Sequence, residues 1–231
     1  MLKRLLISAR NLPFNMPLSK LRIDASSVAK AYDRYASSYD FVFGRLLHDG
    51  RIKTVQAMNL QPGQRVVELG VGSGLMLPLY PAGTPVVAID ISPDMLERAR
   101  AKVAALNLKN IELKLADAES TRLPGEAFDH VVLPYVYSVT PDPQALMREC
   151  FRLCKPGGSI WILNHFSGLG LMDRLNWMIK PVADALRFRA DFSYQQYVQN
   201  QGWDIVQVQK ANLFGLSRIV QVGKPGALRA P

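Results

Sequence analysis

The chain has 231 residues, 48% hydrophobic and 20% charged, with two cysteines and a formal charge of +9. That length buries one substantial core. No apolar run approaches the length of a transmembrane helix, and Cys150 and Cys154, four apart in a predicted helix, suit core packing better than a disulfide framework. The excess of Lys and Arg fits attraction to a polyanion or an anionic membrane surface, and it equally fits a surface merely rich in cations.

Residues 1–24 carry Lys3, Arg4, Arg10, Lys20 and Arg22 against a single acid, Asp24. Leu2, Leu5, Leu6 and Ala9 lie close to one helical face, while Pro13 and Pro17 break any single helix through the segment. A cationic stretch with a leucine face has the composition of an interfacial anchor, although an arm folded over the domain would share it. Arg10 and the two prolines, with no small-residue cleavage site, argue against a signal peptide. The expected location is therefore cytoplasmic, peripheral on the inner face of the cell membrane. Residues 25–231 read as one domain, with 25–55 as a helical lid on the substrate side. Ser27 is a candidate cap there, and Tyr32, Tyr35 and Tyr39 share one helical face ahead of Asp40, Phe43 and Gly44. Aromatics at this spacing are more often packing residues than ligands.

From Arg65 the rhythm becomes strand, helix, strand. Strands are predicted at 65–69, 85–90, 111–116, 128–133 and 159–164, and helices at 74–81, 93–106 and 143–154, with Ser92-Pro93 starting the second. Such alternation indicates an α/β fold, a mostly parallel sheet with helices on both faces. Trp203–Lys210 and Leu213–Val222 instead read as consecutive strands around Ala211-Asn212, an antiparallel pair at the sheet edge. Residues 169–190, rich in Leu, Met, Trp and Arg, form an amphipathic insertion before that pair.

Val66-Val67-Glu68-Leu69-Gly70-Val71-Gly72-Ser73-Gly74 describes a buried strand and a glycine turn, and Val86–Asp90 a second strand ending in a carboxylate. Gly70, Gly72 and Gly74 permit close backbone approach to a ligand. Asp90 is placed to accept hydrogen bonds from ribose hydroxyls, as in dinucleotide sites. Glu68 suits a pyrophosphate poorly and a cationic amino acid well. Together these features favour S-adenosylmethionine as the nucleoside.

On these residues the chain resembles a class I S-adenosylmethionine-dependent methyltransferase, over roughly residues 60–165. The resemblance implies a Rossmann-like seven-stranded sheet of order 3-2-1-4-5-7-6, with strand seven antiparallel, and S-adenosyl-L-homocysteine as product. It places Asp117 and Ala118 against the adenine, Ile91 and Met95 near the ligand beyond Asp90, and Pro134 at the exit of strand four toward substrate. Met95 is equally a core candidate. Leu153-Cys154-Lys155-Pro156-Gly157-Gly158 matches the turn before strand five.

A narrower resemblance concerns the acceptor. Tyr32-x-x-Tyr35-Ala-x-x-Tyr39-Asp40-x-x-Phe43-Gly44 is similar to the start of bacterial phospholipid N-methyltransferases, which convert phosphatidylethanolamine stepwise to phosphatidylcholine; quinone C-methyltransferases begin with a related block. The lipid enzyme implies an anionic membrane surface as partner. Its amine must lose a proton before attack and ends as a quaternary ammonium, which aromatic rings stabilise. The candidate catalytic residues are Tyr35, Tyr39, Asp40 and His165, the last in a loop at the carboxyl end of strand five. Tyr32 and Tyr137 are candidate substrate contacts, and Arg174, Lys180, Arg187 and Arg189 candidate phosphate ligands. Nothing suggests a metal. Leu133-Pro134-Tyr135-Val136-Tyr137 stands where many base methyltransferases carry Asn-Pro-Pro-Tyr, so a nucleic-acid partner is not expected. The alternatives are a quinone-ring C-methyltransferase, an rRNA methyltransferase and a non-catalytic membrane module that binds S-adenosylmethionine.

Overall fold

A computed structural model describes residues 47–167, 192–212 and 215–225. The expectations for the basic segment 1–24, for Ser27, Tyr32, Tyr35, Tyr39 and Asp40, and for the 169–190 insertion with Arg174, Lys180, Arg187 and Arg189 lie outside the described residues.

The elements in chain order are α1 (His48–Met58), β1 (Val66–Leu69), β2 (Val86–Asp90), α2 (Pro93–Ala105), β3 (Ile111–Leu115), β4 (Phe128–Pro134), α3 (Pro143–Leu153), β5 (Cys154–Asn164), α4 (Tyr194–Tyr197), β6 (Asp204–Ala211) and β7 (Ser217–Gly223). The strands form one sheet of order β3-β2-β1-β4-β5-β7-β6. Neighbours from β3 to β5 pair parallel, while β7 runs antiparallel to both β5 and β6. This is the order and direction that the resemblance implied.

All four residues of β1 are buried, as required of a central parallel strand covered on both faces. Alternation then divides the core in two. Val67, Leu69, Val131, Leu133, Ile160 and Ile162 meet Leu146, Cys150 and Leu153 of α3 on one face. Val66, Val132, Trp161 and Leu163 meet Met58 of α1 and Leu96 and Ala99 of α2 on the other. Both cysteines are buried and free, but Cys154 opens a strand instead of closing a helix. α2 and α3 begin on side-chain caps. Ser92 accepts from Met95 N–H, and Asp142 accepts from Gln144 and Ala145 N–H at 2.9 and 3.0 Å, each helix with Pro in its first turn.

The helix expected at 74–81 does not form. The chain after the glycine turn makes only one 3-10 turn, Leu77–Leu79. Pro78 and Pro81 withhold the amides an α-helix would need here. β5 starts five residues before the expected 159, because Cys154 already pairs with Phe128; Lys155–Gly158 then bulge before Ser159 resumes opposite His130. Residues 48–58, assigned in part to a lid, form a helix packed on β5, β6 and β7. Among the described residues no helix is long and apolar enough to cross a membrane.

Asp142→Ala removes the acceptor for two orphan amides of α3. Urea denaturation is expected to show a loss of about 1 kcal/mol in stability with an unchanged m-value.

Candidate active site

The strand order reverses between β1 and β4, and the carboxyl ends of β1, β2, β4 and β5 open to one edge, where α/β sheets bind ligands. β1 exits into the glycine turn, whose Gly70 and Val71 N–H groups donate to Ile89 O at 2.8 Å each. Gly70, at φ +74°, leaves no room for a Cβ, which would lie 2.8 Å from Val136 Cβ. Gly72, at φ +53°, faces open space instead, so a ligand can reach its backbone. Its N–H donates to Asp90 Oδ2 at 2.7 Å, and Asp90 Oδ1 accepts from Ser92 N–H at 3.0 Å. Asp90 therefore shapes the turn besides offering acceptors to a ligand; each carboxylate oxygen carries two lone pairs.

The neighbouring positions are unequal. Ile91 is 41% exposed, an apolar face standing beside Asp90. Met95 is buried, with its N–H on the Ser92 cap. Asp117 is exposed, and its Oδ1 accepts from Glu119 N–H at 2.9 Å; Ala118 packs partly against the core. Pro134 ends β4 half-buried.

Glu68 departs from the expected picture. It is 1% exposed, beneath the glycine turn, and its Oε2 accepts from the Tyr80 hydroxyl at 2.8 Å. Desolvation pushes the Glu68 carboxyl up to about 7, against the opposing effects of the Tyr80 hydrogen bond and the nearby Arg51; Asp90 adds to the rise. Arg51, 8% exposed, lays its guanidinium 5.2 Å from the centroid of Tyr135.

Further along the edge, Tyr135 follows β4 in a left-handed conformation, φ +63°, an uncommon state for an aromatic residue that the surroundings must enforce. Its N–H donates to Leu163 O at 2.7 Å, and its ring lies 5.1 Å from that of His165, tilted by 32°. His165 Nδ1 lies 3.1 Å from Leu216 O and 2.9 Å from Ser217 Oγ. Burial, reinforced by Arg51, holds the imidazole below its ordinary pKa despite the Leu216 hydrogen bond, so it is neutral near pH 7. Tyr137, expected to meet substrate, is 1% exposed in the core. Its ring packs edge-on against Phe192 and its hydroxyl donates to Tyr197 O at 3.0 Å, which makes it a packing residue. The sequence reading missed Arg51, Tyr80, Asn212 and Ser217 as parts of this edge, and no motif marks them. Among the described residues no group of three or more His, Cys, Asp or Glu is arranged to hold a metal ion.

Comparison with known proteins agrees with the geometry. Residues 67–162 match the family model of a methyltransferase domain. The chain is 35% identical over 187 residues to a phosphatidylethanolamine N-methyltransferase of Cereibacter sphaeroides, covering 80% of this chain and 91% of that protein. It is 31% identical over 142 residues to a demethylmenaquinone methyltransferase of Listeria monocytogenes, covering 58% of this chain and 60% of the relative. The solved structure of an S-adenosylmethionine-dependent methyltransferase from Aquifex aeolicus superposes with a TM-score of 0.57 at 20% identity, over 87% of this chain and 99% of that one. The fold and this edge define a nucleotide-binding α/β transferase. The chain belongs to the S-adenosylmethionine-dependent methyltransferases, and S-adenosylmethionine is its cofactor. The residues present fit that group: an open backbone at Gly72, a carboxylate at Asp90, an exposed apolar face at Ile91 and a buried negative field from Glu68.

Two substitutions separate these roles. Because Glu68 titrates at about 7 in the folded chain and at 4.5 in the ordinary state, the folded protein holds an extra proton between those values. Stability contributed by the protonated form is therefore lost as pH rises through about 7. Glu68→Gln keeps an acceptor for Tyr80. It is expected to match the parent near pH 4 and to exceed it at pH 8 by up to about 3 kcal/mol in urea denaturation, while raising the Kd for S-adenosylmethionine roughly tenfold. Asp90→Asn sets an NH2 group against either the Gly72 or the Ser92 amide. Calorimetric titration is expected to show cofactor affinity falling by at least about tenfold.

Proposed function

We propose that this methyltransferase methylates the amine of phosphatidylethanolamine and of its partly methylated forms, toward phosphatidylcholine, working peripherally on the cytoplasmic face of an anionic membrane. The observation that carries the reading is the extent of the similarity to the Cereibacter enzyme. The cofactor half, residues 67–162, is common ground for methyltransferases, so acceptor choice must be written outside it. The 187 aligned residues, covering 91% of that relative, necessarily run beyond this half. The +9 charge supports attraction to an anionic surface.

In this reading Gly70, Gly72 and Gly74 hold the amino-acid part of the cofactor, Asp90 the ribose, and Ile91, Asp117 and Ala118 the adenine, with Met95 and Pro134 behind and beside it. When bound, the cofactor supplies an electrophilic methyl group on a sulfonium. Neutral His165 would take the proton of the lipid ammonium, leaving a nitrogen lone pair able to receive that methyl group, with S-adenosyl-L-homocysteine as the leaving product. Tyr35, Tyr39 and Asp40 orient the amine, with Tyr32 beside them. Arg174, Lys180, Arg187 and Arg189 supply cations for the phosphate, favoured as a cluster over any single member. Alignment and water exclusion do the remaining work.

A quinone-ring C-methyltransferase is the second reading, favoured by the Listeria relative. The two separate when the purified protein is incubated with labelled S-adenosylmethionine and, in parallel, phosphatidylethanolamine vesicles, a demethylated quinone and rRNA. Label in mono-, di- and trimethylated lipid is expected. Label confined to quinone or RNA overturns the lipid assignment. Deleting residues 1–22 is expected to weaken binding to anionic liposomes while leaving cofactor affinity within about twofold.

A further inference from the structure

The corner Pro134-Tyr135-Val136 leaves β4 directly against the glycine turn. Tyr135 N–H donates to Leu163 O at 2.7 Å, which carries the pairing with β5 past Pro134. Tyr135 then turns left-handed at φ +63°. The side chain of Val136 follows, and its Cγ2 lies 2.7 Å from where a Cβ on Gly70 would stand. Val136 O accepts from Val139 and Thr140 N–H at 3.0 and 3.1 Å, which ties the far side of the corner. The backbone path at Tyr135 therefore decides how Val136 meets the first residue of the turn.

That path is costly for a residue with a Cβ and a ring, and it persists only where the surroundings over-determine it. Here the ring is gripped at its far end. Its hydroxyl accepts from Asn212 Nδ2 at 2.8 Å and donates to Leu47 O at 3.4 Å. Asn212 is itself fixed in the turn between β6 and β7. Its Oδ1 accepts from Gly50 N–H at 2.7 Å, its Nδ2 also donates to Ser217 Oγ at 2.7 Å, and its N–H donates to Asp49 Oδ2 at 3.1 Å. A Cβ at Gly50 would lie 2.8 Å from both Asn212 Oδ1 and the Tyr135 hydroxyl, so α1 closes on the hydroxyl only because no side chain intervenes.

We propose that Tyr135 and Asn212 are positioning residues for the glycine turn: the clamped hydroxyl holds Tyr135 left-handed, and the corner so formed seats Val136 on Gly70. A residue of the last hairpin thereby shapes the first loop of the sheet. The consequence for the cofactor rests on the reading in which Gly70, Gly72 and Gly74 hold it; the clamp on the corner does not.

The signature is an inverted order of substitutions. Tyr135→Phe removes only the hydroxyl, keeps the ring and the backbone cost, and frees the corner to relax. Tyr135→Gly and Tyr135→Asn remove the ring but accept a positive φ more readily. Calorimetric titration is expected to show the Kd for S-adenosylmethionine rising about fivefold in Tyr135→Phe and staying within about twofold of the parent in Tyr135→Gly and Tyr135→Asn. Asn212→Ala is expected to match Tyr135→Phe, and the double variant to bind no more weakly than either. Without cofactor, hydrogen exchange at the Gly70, Val71 and Gly72 amides is expected to quicken in Tyr135→Phe and Asn212→Ala but not in Tyr135→Gly. Parental exchange and affinity in Tyr135→Phe, or a greater loss in Tyr135→Gly and Tyr135→Asn than in Tyr135→Phe, overturns the positioning role and leaves the ring as filling alone. Gly72→Ala with undiminished cofactor affinity instead overturns the turn as the cofactor site, and the exchange rates then decide the clamp by themselves.

Discussion

Where strands end and helices begin, backbone amides lack regular partners, and each buried one must find an acceptor elsewhere. At the carboxyl edge of this sheet two side chains meet that demand. Asp90 takes the amides of Gly72 and Ser92 and thereby joins the end of β2 to the turn after β1. Asn212 takes the amide of Gly50 and joins the last hairpin to the first described helix, 162 residues away. One ties together the glycine-turn side of the edge and the other the side that holds His165. Both are short polar residues with several hydrogen-bonding sites, and neither is replaceable by a hydrophobic residue without orphaning the amides it serves.

The electrostatics of the edge follow from where its charges are buried. Glu68 and Arg51 are both almost sealed, yet the first sits beneath the glycine turn and the second against the ring of Tyr135. A carboxylate in that position is costly in the empty protein and becomes useful when a cation arrives above it. Arg51 works in the opposite direction on His165, disfavouring the imidazolium and keeping the ring able to accept a proton. The same edge therefore sets a buried acid under the turn and a neutral imidazole at His165.

The cofactor half was legible in the sequence because its chemistry is local. Strand, turn, strand and carboxylate fall within 25 residues from Val66 to Asp90, and the terminal strand pair showed its own alternation. The acceptor edge was not legible, since Asp49, Gly50, Tyr135, His165, Asn212 and Ser217 come together only through the topology. Glu68 was read as unusual within a buried strand; alternation alone does not reveal that the Tyr80 hydroxyl, twelve residues on, donates to its carboxyl. Tyr137 misled for a related reason: an aromatic three residues beyond a strand end can point to either side, and here, after the left-handed Tyr135, it lies in the core. Pro78 and Pro81 were in view, and their withheld amides outweigh the helical pattern of 74–81.

The single 3-10 turn that stands in place of that helix has a consequence for selectivity. Most nucleosides a cell contains are phosphorylated, and many proteins with a glycine-rich first loop hold the phosphate on the amides and dipole of the helix that follows. Here the turn runs into Leu77–Leu79 and a proline-bounded loop, above a buried acid. Among the described residues no α-helix follows the turn, so a phosphorylated nucleoside would find no helix dipole there and would meet the buried acid Glu68. The omission of one helix thus discriminates among adenosine derivatives by rejection, leaving the pocket to an adenosine whose tail is a cation.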